Sequence, residues 1–568
     1  MKISSFDIFD TCLLRKCGTP ENFFDVLSLF AFTAEPEEWA RQEFVAARRI
    51  AQVQAGEANP HYTLQDIWRA FSWSHSLLKS PNELCQLEQD MEEDMLVPVL
   101  SMREKVNECR KQGHKILFIS DMYLSTEFLT DVMRKCGFYQ DGDALYVSCD
   151  CNASKWNGDL FRYIKDKEGL RSYCHWHHYG DNKRVDYDIP KKLGICCTII
   201  RHAYTPYQQE WINNDYSLGY KYPSILAGMA RALRYSTEWT THTDFVLDIV
   251  APFYCSWIYQ VMNDAQKRGI KRLYFCARDA YQIHKIALTM QLYFPEVGVE
   301  YVYISRAALY KEDNTEAKLA YFKRIGLATT TDKVAIVDTT TSGKTLIVLN
   351  EFLKSCGCKE VTSYYFLLWN KVNGVDRTKY DVQVYDQYDI YRNGYLRRYP
   401  IFENLFSLNK ELSTIDYAYD NGIAGPVFTQ KKMLGDVEIR DDVDWVSVHS
   451  QLLVDFTHLF MRLREFTYAN LIFDNIGIRS LRQFCHKPIR NYVTALSNMY
   501  YIDQDDKREY VYIKKLNVFR RRKNDADFRW WEGAFCYTFH PIIVDVAYRF
   551  PRLLEFLRKH YCPVQFQK

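Results

Sequence analysis

Four short runs near the start of the chain carry side chains that could do chemistry together. The apolar run Ile3 to Phe9 contains Asp7 and continues into Asp10-Thr11. Lys115-Ile116-Leu117-Phe118-Ile119 runs into Ser120-Asp121, Lys155 stands in Ala153-Ser154-Lys155-Trp156-Asn157-Gly158-Asp159, and His178-Tyr179-Gly180 precedes Asp181 and Asp186. A carboxylate at the C-terminal tip of a parallel strand is placed to act as a nucleophile or a metal ligand, because ligands of open α/β sheets bind at that edge. A second set lies mid-chain in Val334-Ala335-Ile336-Val337-Asp338-Thr339-Thr340-Thr341-Ser342-Gly343-Lys344-Thr345. There a hydroxyl-rich turn opening a helix offers converging N–H groups at the positive helix end, which suits a phosphate. It is not a Walker A loop, since Asp338 occupies the position of that motif's first glycine.

The elements that must hold these residues follow from the hydrophobic pattern. Ile3 to Phe9 and Lys115 to Ile119 read as buried strands, and Pro20 to about Glu108 is helical in composition, an insertion between them. After a Tyr- and Pro-containing connection, helical sequence from about Tyr222 to Lys267 leads to strands at Arg272 to Phe275, Glu300 to Ser305, Val334 to Val337 and Val361 to Leu368, with helices between them. Strands alternating with helices predict a parallel, doubly wound sheet. The fold class expected is therefore α/β twice over, followed by a largely helical C-terminal region.

Both sets of motifs resemble known families. The four N-terminal motifs, in this order and spacing, resemble the haloacid dehalogenase (HAD) superfamily with a helical cap over about residues 15–108. That resemblance implies Asp7 as the aspartyl nucleophile, Ser120 and Lys155 as the groups that hold the transferred phosphoryl, and Asp181 and Asp186 as Mg²⁺ carboxylates, with Phe9 joining Asp7 in the metal set. A hard cation and a lysine would offset the phosphate charge during in-line attack. Phosphatases of this family usually carry a second aspartate two residues after the nucleophile, where this chain has Phe9. Asp10 substitutes for it, or an acid comes from the cap, or the phosphatase is slow or inactive.

The mid-chain motif resembles the phosphoribosyl diphosphate (PRPP) signature of type I phosphoribosyltransferases. This implies that Asp338 holds the ribose hydroxyls and that Thr340, Thr341, Ser342, Gly343, Lys344 and Thr345 surround the 5-phosphate. Ala277, Arg278 and Asp279 then fall in the place of the pyrophosphate loop, with Arg278 on the diphosphate and Asp279 toward Mg²⁺ through water. The family's acidic pair is reduced here to one aspartate, and an ordinary strand-end salt bridge between Arg278 and Asp279 is the plainer reading of that loop.

Composition sets the frame. A chain of 568 residues exceeds one core, and the sequence divides into a HAD-like domain at 1–205, a phosphoribosyltransferase-like domain at 206–385 and a C-terminal region at 386–568. A net charge of +2 gives no support to nucleic-acid binding. The start, Met1-Lys2-Ile3-Ser4, lacks a signal-peptide core, and the 17 cysteines show no paired C-x-x-C arms, so a cytoplasmic location is expected, peripheral at the inner face of the membrane. The apolar run Phe245 to Met262 contains Asp248 and Pro252 and reads as a buried or surface-docked helix. In the tail, Tyr395-Leu396-Arg397-Arg398-Tyr399 and Glu403 are candidates for an acceptor platform.

Together the two resemblances imply a bifunctional enzyme of bacterial surface-polysaccharide synthesis. PRPP would donate 5-phosphoribose to a glycan or lipid-linked glycan, and the phosphatase would expose the 5-hydroxyl to leave ribofuranose, with membrane-associated assembly machinery as a partner. The alternatives are a HAD hydrolase with a docking domain, and a non-catalytic sugar-phosphate sensor.

Overall fold

The computed structural model describes residues 2–206, 208, 209, 212, 222–311, 313–328, 330–341, 344–358, 361–368, 380–384, 407, 409, 411–429, 445–462, 510–513 and 518–521. Ser342, Gly343, the 395–399 run and Glu403 lie outside them. The chain forms two compact units, Met1–Trp239 and Thr240–Lys568.

In the first unit, β1 (Ile3–Asp7) is buried along its whole length and is the middle strand of a five-stranded sheet. The chain then makes β2 (Leu13–Arg15), four helices, and β3 (Leu96–Pro98), which pairs antiparallel with β2. The remaining sheet strands are β4 (Lys115–Ser120), β5 (Ala144–Val147), β6 (Trp176–Gly180) and β7 (Cys196–Ile199), in the order β5-β4-β1-β6-β7 and all parallel. Asp7 pairs with Ile119 and Phe6 with Tyr179, so the tips of β1, β4 and β6 lie side by side. A strand enclosed on both faces must satisfy every polar group it carries. Ser5 does so by taking the Trp176 indole N–H at 2.6 Å and meeting His178 Nδ1 at 2.7 Å.

The inserted cap is built from well-terminated helices. Thr19 caps Pro20–Phe30, and Ser80 forms a capping box with Glu83 ahead of Pro81–Met95. Inside it, Arg48 meets Glu88 through two hydrogen bonds, and Arg15 meets Glu92 at the β2–β3 stem. All four side chains are buried, and fully paired ions in such a place fix one arrangement because a shifted one would strand a charge. The cap ends earlier than 108: β3 closes the stem, and Leu100–Lys111 packs on β4 as part of the core.

In the second unit, β8 (Arg272–Cys276), β9 (Gly298–Val302), β10 (Val334–Thr341), β11 (Val361–Leu368) and β12 (Asp381–Val384) form a parallel sheet in the order β12-β11-β10-β8-β9. One difference from the sequence reading bears on function. Thr339 to Thr341 continue β10, with Thr340 opposite Leu367 and Thr341 opposite Leu368, so these three residues belong to the strand and not to a turn. Threonine is β-branched and favours a strand when a partner strand is available. Beyond the sheet the described residues contain the helix Trp445–Arg462 and hairpins at Thr414–Phe428 and Tyr510–Arg521.

His242–Arg268 is long and apolar enough to cross a membrane, but 89% of its most apolar stretch is buried inside the structure. The helix Tyr222–Ser236 belongs to the first unit and packs on β2, β3 and the turn at Gly18 that follows β2. The described cysteines are all free thiols.

Candidate active site of the first unit

Asp7 leaves the tip of β1 buried, and Thr11, one turn on, donates its hydroxyl to Asp7 Oδ2 at 3.1 Å. Lys155 comes from the loop ahead of the helix Asp159–Lys167 and is itself buried. Its ammonium donates to Asp7 Oδ1 at 2.6 Å and to Asp186 Oδ1 at 2.7 Å. The Lys155 backbone N–H is held by Asp121 at 2.8 Å, and Asp121 also takes the Ser154 hydroxyl at 2.9 Å. Thus the residue after Ser120 fixes the loop that delivers the lysine.

Asp186 lies in a π-helical turn, Lys183–Asp188, started by Asn182, whose side chain accepts from the N–H groups of Arg184 and Val185. Its carboxylate takes the Asn182 N–H at 3.0 Å and meets His178 Nε2 at 3.1 Å. Gly180 is required for this approach: a Cβ there would lie 2.4 Å from Asp186 Cγ. Burial and then the neighbouring carboxylates push Asp7 up to about 8 despite the opposing pull of Lys155. Asp186 goes the other way, held below the usual carboxylate range because Lys155 and His178 outweigh its burial.

The carboxylates of Asp7, Asp181 and Asp186 offer oxygens that all lie within 4.8 Å of one another. Three acids face one lysine here, and the excess negative charge together with the all-oxygen donor set fits a hard divalent cation. Phe9 does not offer a side-chain ligand. Its ring lies under the Arg15 guanidinium, 4.5 Å from ring centroid to Cζ, so only its backbone could serve a metal.

The site opens into a cleft of about 840 Å³ between core and cap. Asp7, Asp10, Ser120, Lys155, Asp181 and Asp186 all line it, and Arg49, Gln52 and Tyr62 form part of the cap wall. The structure therefore brings together every residue expected of this half. It adds four that the sequence did not assign: Thr11 and Asp121, which hold Asp7 and the Lys155 loop, His178 on Asp186, and Arg231, which meets Asp10 at 2.8 Å. His178 and Asp121 stand inside the motifs, so their proximity was available as a signal; Arg231 has no such neighbour in sequence.

In the second unit, Asp338 follows Val337, which is paired with Phe275 on β8, so it sits near the loop containing Ala277, Arg278 and Asp279. The Ala277–Arg278 peptide is cis. Burial, then the charge of Asp279, raises the Asp338 carboxyl well above its ordinary range, and Asp338 Oδ1 takes the Thr339 N–H at 2.8 Å. These two acids are thus close, although they are 59 positions apart by subtraction of 279 from 338. Lys344 and Thr345 begin the following helix.

No family model matches the chain, and no curated protein matches it. Among solved structures, the chain is similar to one described as a HAD-hydrolase, YfnB of Bacillus subtilis, bound to magnesium, with 13% identity, 36% of this chain and 89% of that one covered, and a TM-score of 0.26. It is also similar to a protein of Lactobacillus delbrueckii subsp. bulgaricus assigned as a phosphoglycolate phosphatase, with 13% identity, 35% and 85% covered, and a TM-score of 0.22.

Proposed function

We propose that the first unit is a Mg²⁺-dependent phosphohydrolase of HAD type and that the whole chain installs ribofuranose in a surface glycan. The observation that carries the phosphohydrolase reading is the buried contact of Lys155 with both Asp7 and Asp186, beside a third carboxylate at metal-binding distance. Asp7 attacks the phosphorus of a bound phosphomonoester, and the bond to the departing alkoxide breaks. Lys155 offsets the charge of the transferred group, and Ser120 at the tip of β4 borders it. Water then attacks the aspartyl phosphate and releases Asp7. Asp7, Asp181 and Asp186, with the Phe9 backbone, would hold Mg²⁺, which would supply electrostatic stabilisation of the phosphoryl oxygens.

The second unit is the donor half of this reading. PRPP binds with its ribose diol on Asp338, its 5-phosphate in the turn before Lys344 and its diphosphate near Arg278 and Asp279. The convergence of Asp279 and Asp338 at adjacent strand ends supports this placement. The acceptor is a glycan or lipid-linked glycan, which brings the enzyme to assembly machinery at the inner face of the membrane. The test is to supply the full chain with PRPP, Mg²⁺ and acceptor glycan. Pyrophosphate and then phosphate are expected, and Asp7→Asn should stop the second while phosphorylated glycan accumulates. Phosphate release without any PRPP-dependent step would leave the second unit as a docking body.

A further inference from the structure

Asp10 is built into the wall of the cleft by an element far along the chain. Its backbone is left-handed, with φ of 54°, a region that aspartate enters more readily than most residues but seldom without support. The support is local and distant at once. Asp10 N–H donates to Leu13 O at 2.8 Å, and Arg231 Nη2 donates to Asp10 Oδ1 at 2.8 Å.

Arg231 is itself buried and fixed. Its Nε donates to the His202 carbonyl at 2.8 Å, and its guanidinium stacks on Tyr204 at 4.7 Å. His202 Nε2 reaches back to the Thr11 carbonyl at 2.9 Å. Gly228, one turn before Arg231, lets the helix Tyr222–Ser236 touch the turn at Gly18: a Cβ on Gly228 would lie 2.3 Å from the Gly18 nitrogen. The helix is therefore seated against the turn after β2, which places Arg231 beside Asp10 in the loop that follows the nucleophile. Asp10 Oδ2 takes no hydrogen bond from a described residue, and the Asp10 side chain remains 30% exposed in the cleft that Asp7 lines.

We infer that Arg231 is a positioning residue that presents Asp10 as the proton-transfer group of the phosphatase, an inference that rests on the phosphohydrolase reading above. The steps balance. As Asp7 bonds to phosphorus and the ester P–O bond breaks, the proton on Asp10 passes to the leaving alkoxide. When water attacks the aspartyl phosphate, its proton returns to Asp10 and the Asp7 carboxylate departs. Arg231 touches no reacting atom; it sets where Asp10 stands.

The experiment compares an alkyl phosphate with p-nitrophenyl phosphate, whose phenolate leaves without a proton. Asp10→Asn and Arg231→Met should each lower kcat on the alkyl ester by about 10²–10⁴-fold, the usual worth of a general acid, and lower it far less on the aryl ester. KM should change little, Arg231→Lys should recover part of the alkyl-ester rate, and the double variant should be no slower than Asp10→Asn alone. Equal losses on both esters in folded Arg231→Met would overturn the inference, as would unchanged alkyl-ester turnover in Asp10→Asn. The Asp10→Asn comparison and the Arg231→Lys rate decide the matter if Arg231→Met does not fold. Absence of turnover on either ester in the unaltered enzyme would overturn the phosphohydrolase reading and this inference with it.

Discussion

The ammonium of Lys155 stands 2.6 Å from Asp7 Oδ1, and neither side chain has appreciable contact with water. The same ammonium is 2.7 Å from Asp186 Oδ1, whose carboxylate stays ionised, so removing the lysine strands that buried charge, at a cost of about 3–5 kcal/mol. Lys155→Met should therefore lose stability of that size in urea denaturation at neutral pH, besides losing activity. A change below about 1 kcal/mol, the worth of an exposed pair, would mean that the carboxylates find other compensation.

Asp7→Asn should behave in the opposite way. The Asp7 carboxyl is pushed up to about 8 from 3.8 by burial and then by its acidic neighbours. Between those values the folded state holds a proton that the unfolded state has released, so stability falls as pH rises through the window. Without divalent cation at about pH 8, Asp7→Asn should be more stable than the unaltered chain by at least about 1 kcal/mol. The gain should vanish below about pH 3, where the carboxyl is neutral in both states. Thermal melts at the two pH values check both halves, and a destabilised Asp7→Asn at the higher pH would contradict the account.

The second unit offers a separate acid-side test. Burial lowers His242 from 6.5 to about 3, so the unfolded chain takes up this proton first as pH falls. Stability should be full above about pH 6.5 and decline below it, by at most about 1.4 kcal/mol per pH unit for this group. His242→Gln should flatten the dependence between about pH 6.5 and pH 4 in urea titrations. An identical slope in the variant would show that other groups govern the acid limb.

Asp338→Asn bears on the donor half. Burial and Asp279 hold the Asp338 carboxyl high, so removing its charge should leave stability equal or greater. Loss of a charged acceptor worth about 1.5–3 kcal/mol should cut PRPP-dependent pyrophosphate release by about 10–100-fold. Full activity in this variant would remove Asp338 from the ribose site.

Asp7, Lys155 and Asp181 could be read from the sequence because each stands at the end of a strand or just before a helix, where local pattern marks the position, and Asp186 follows Asp181 by five residues in the same motif. The pairing of Arg231 with Asp10 spans 221 positions and leaves no periodicity to read. Thr339 to Thr341 misled for a different reason. A run of hydroxyls looks like a turn, but β11 supplies a partner and the β-branched residues extend β10. The end of the cap was likewise set by a tertiary event, the pairing of β2 with β3, that helical composition alone could not mark.

The most direct measurement is phosphate release from a ribose 5-phosphate glycoside by the full chain and by Asp7→Asn, each with Mg²⁺ and with chelator. The account predicts Mg²⁺-dependent turnover in the unaltered protein and none in Asp7→Asn, with both proteins folded. Turnover that survives Asp7→Asn unchanged would contradict it.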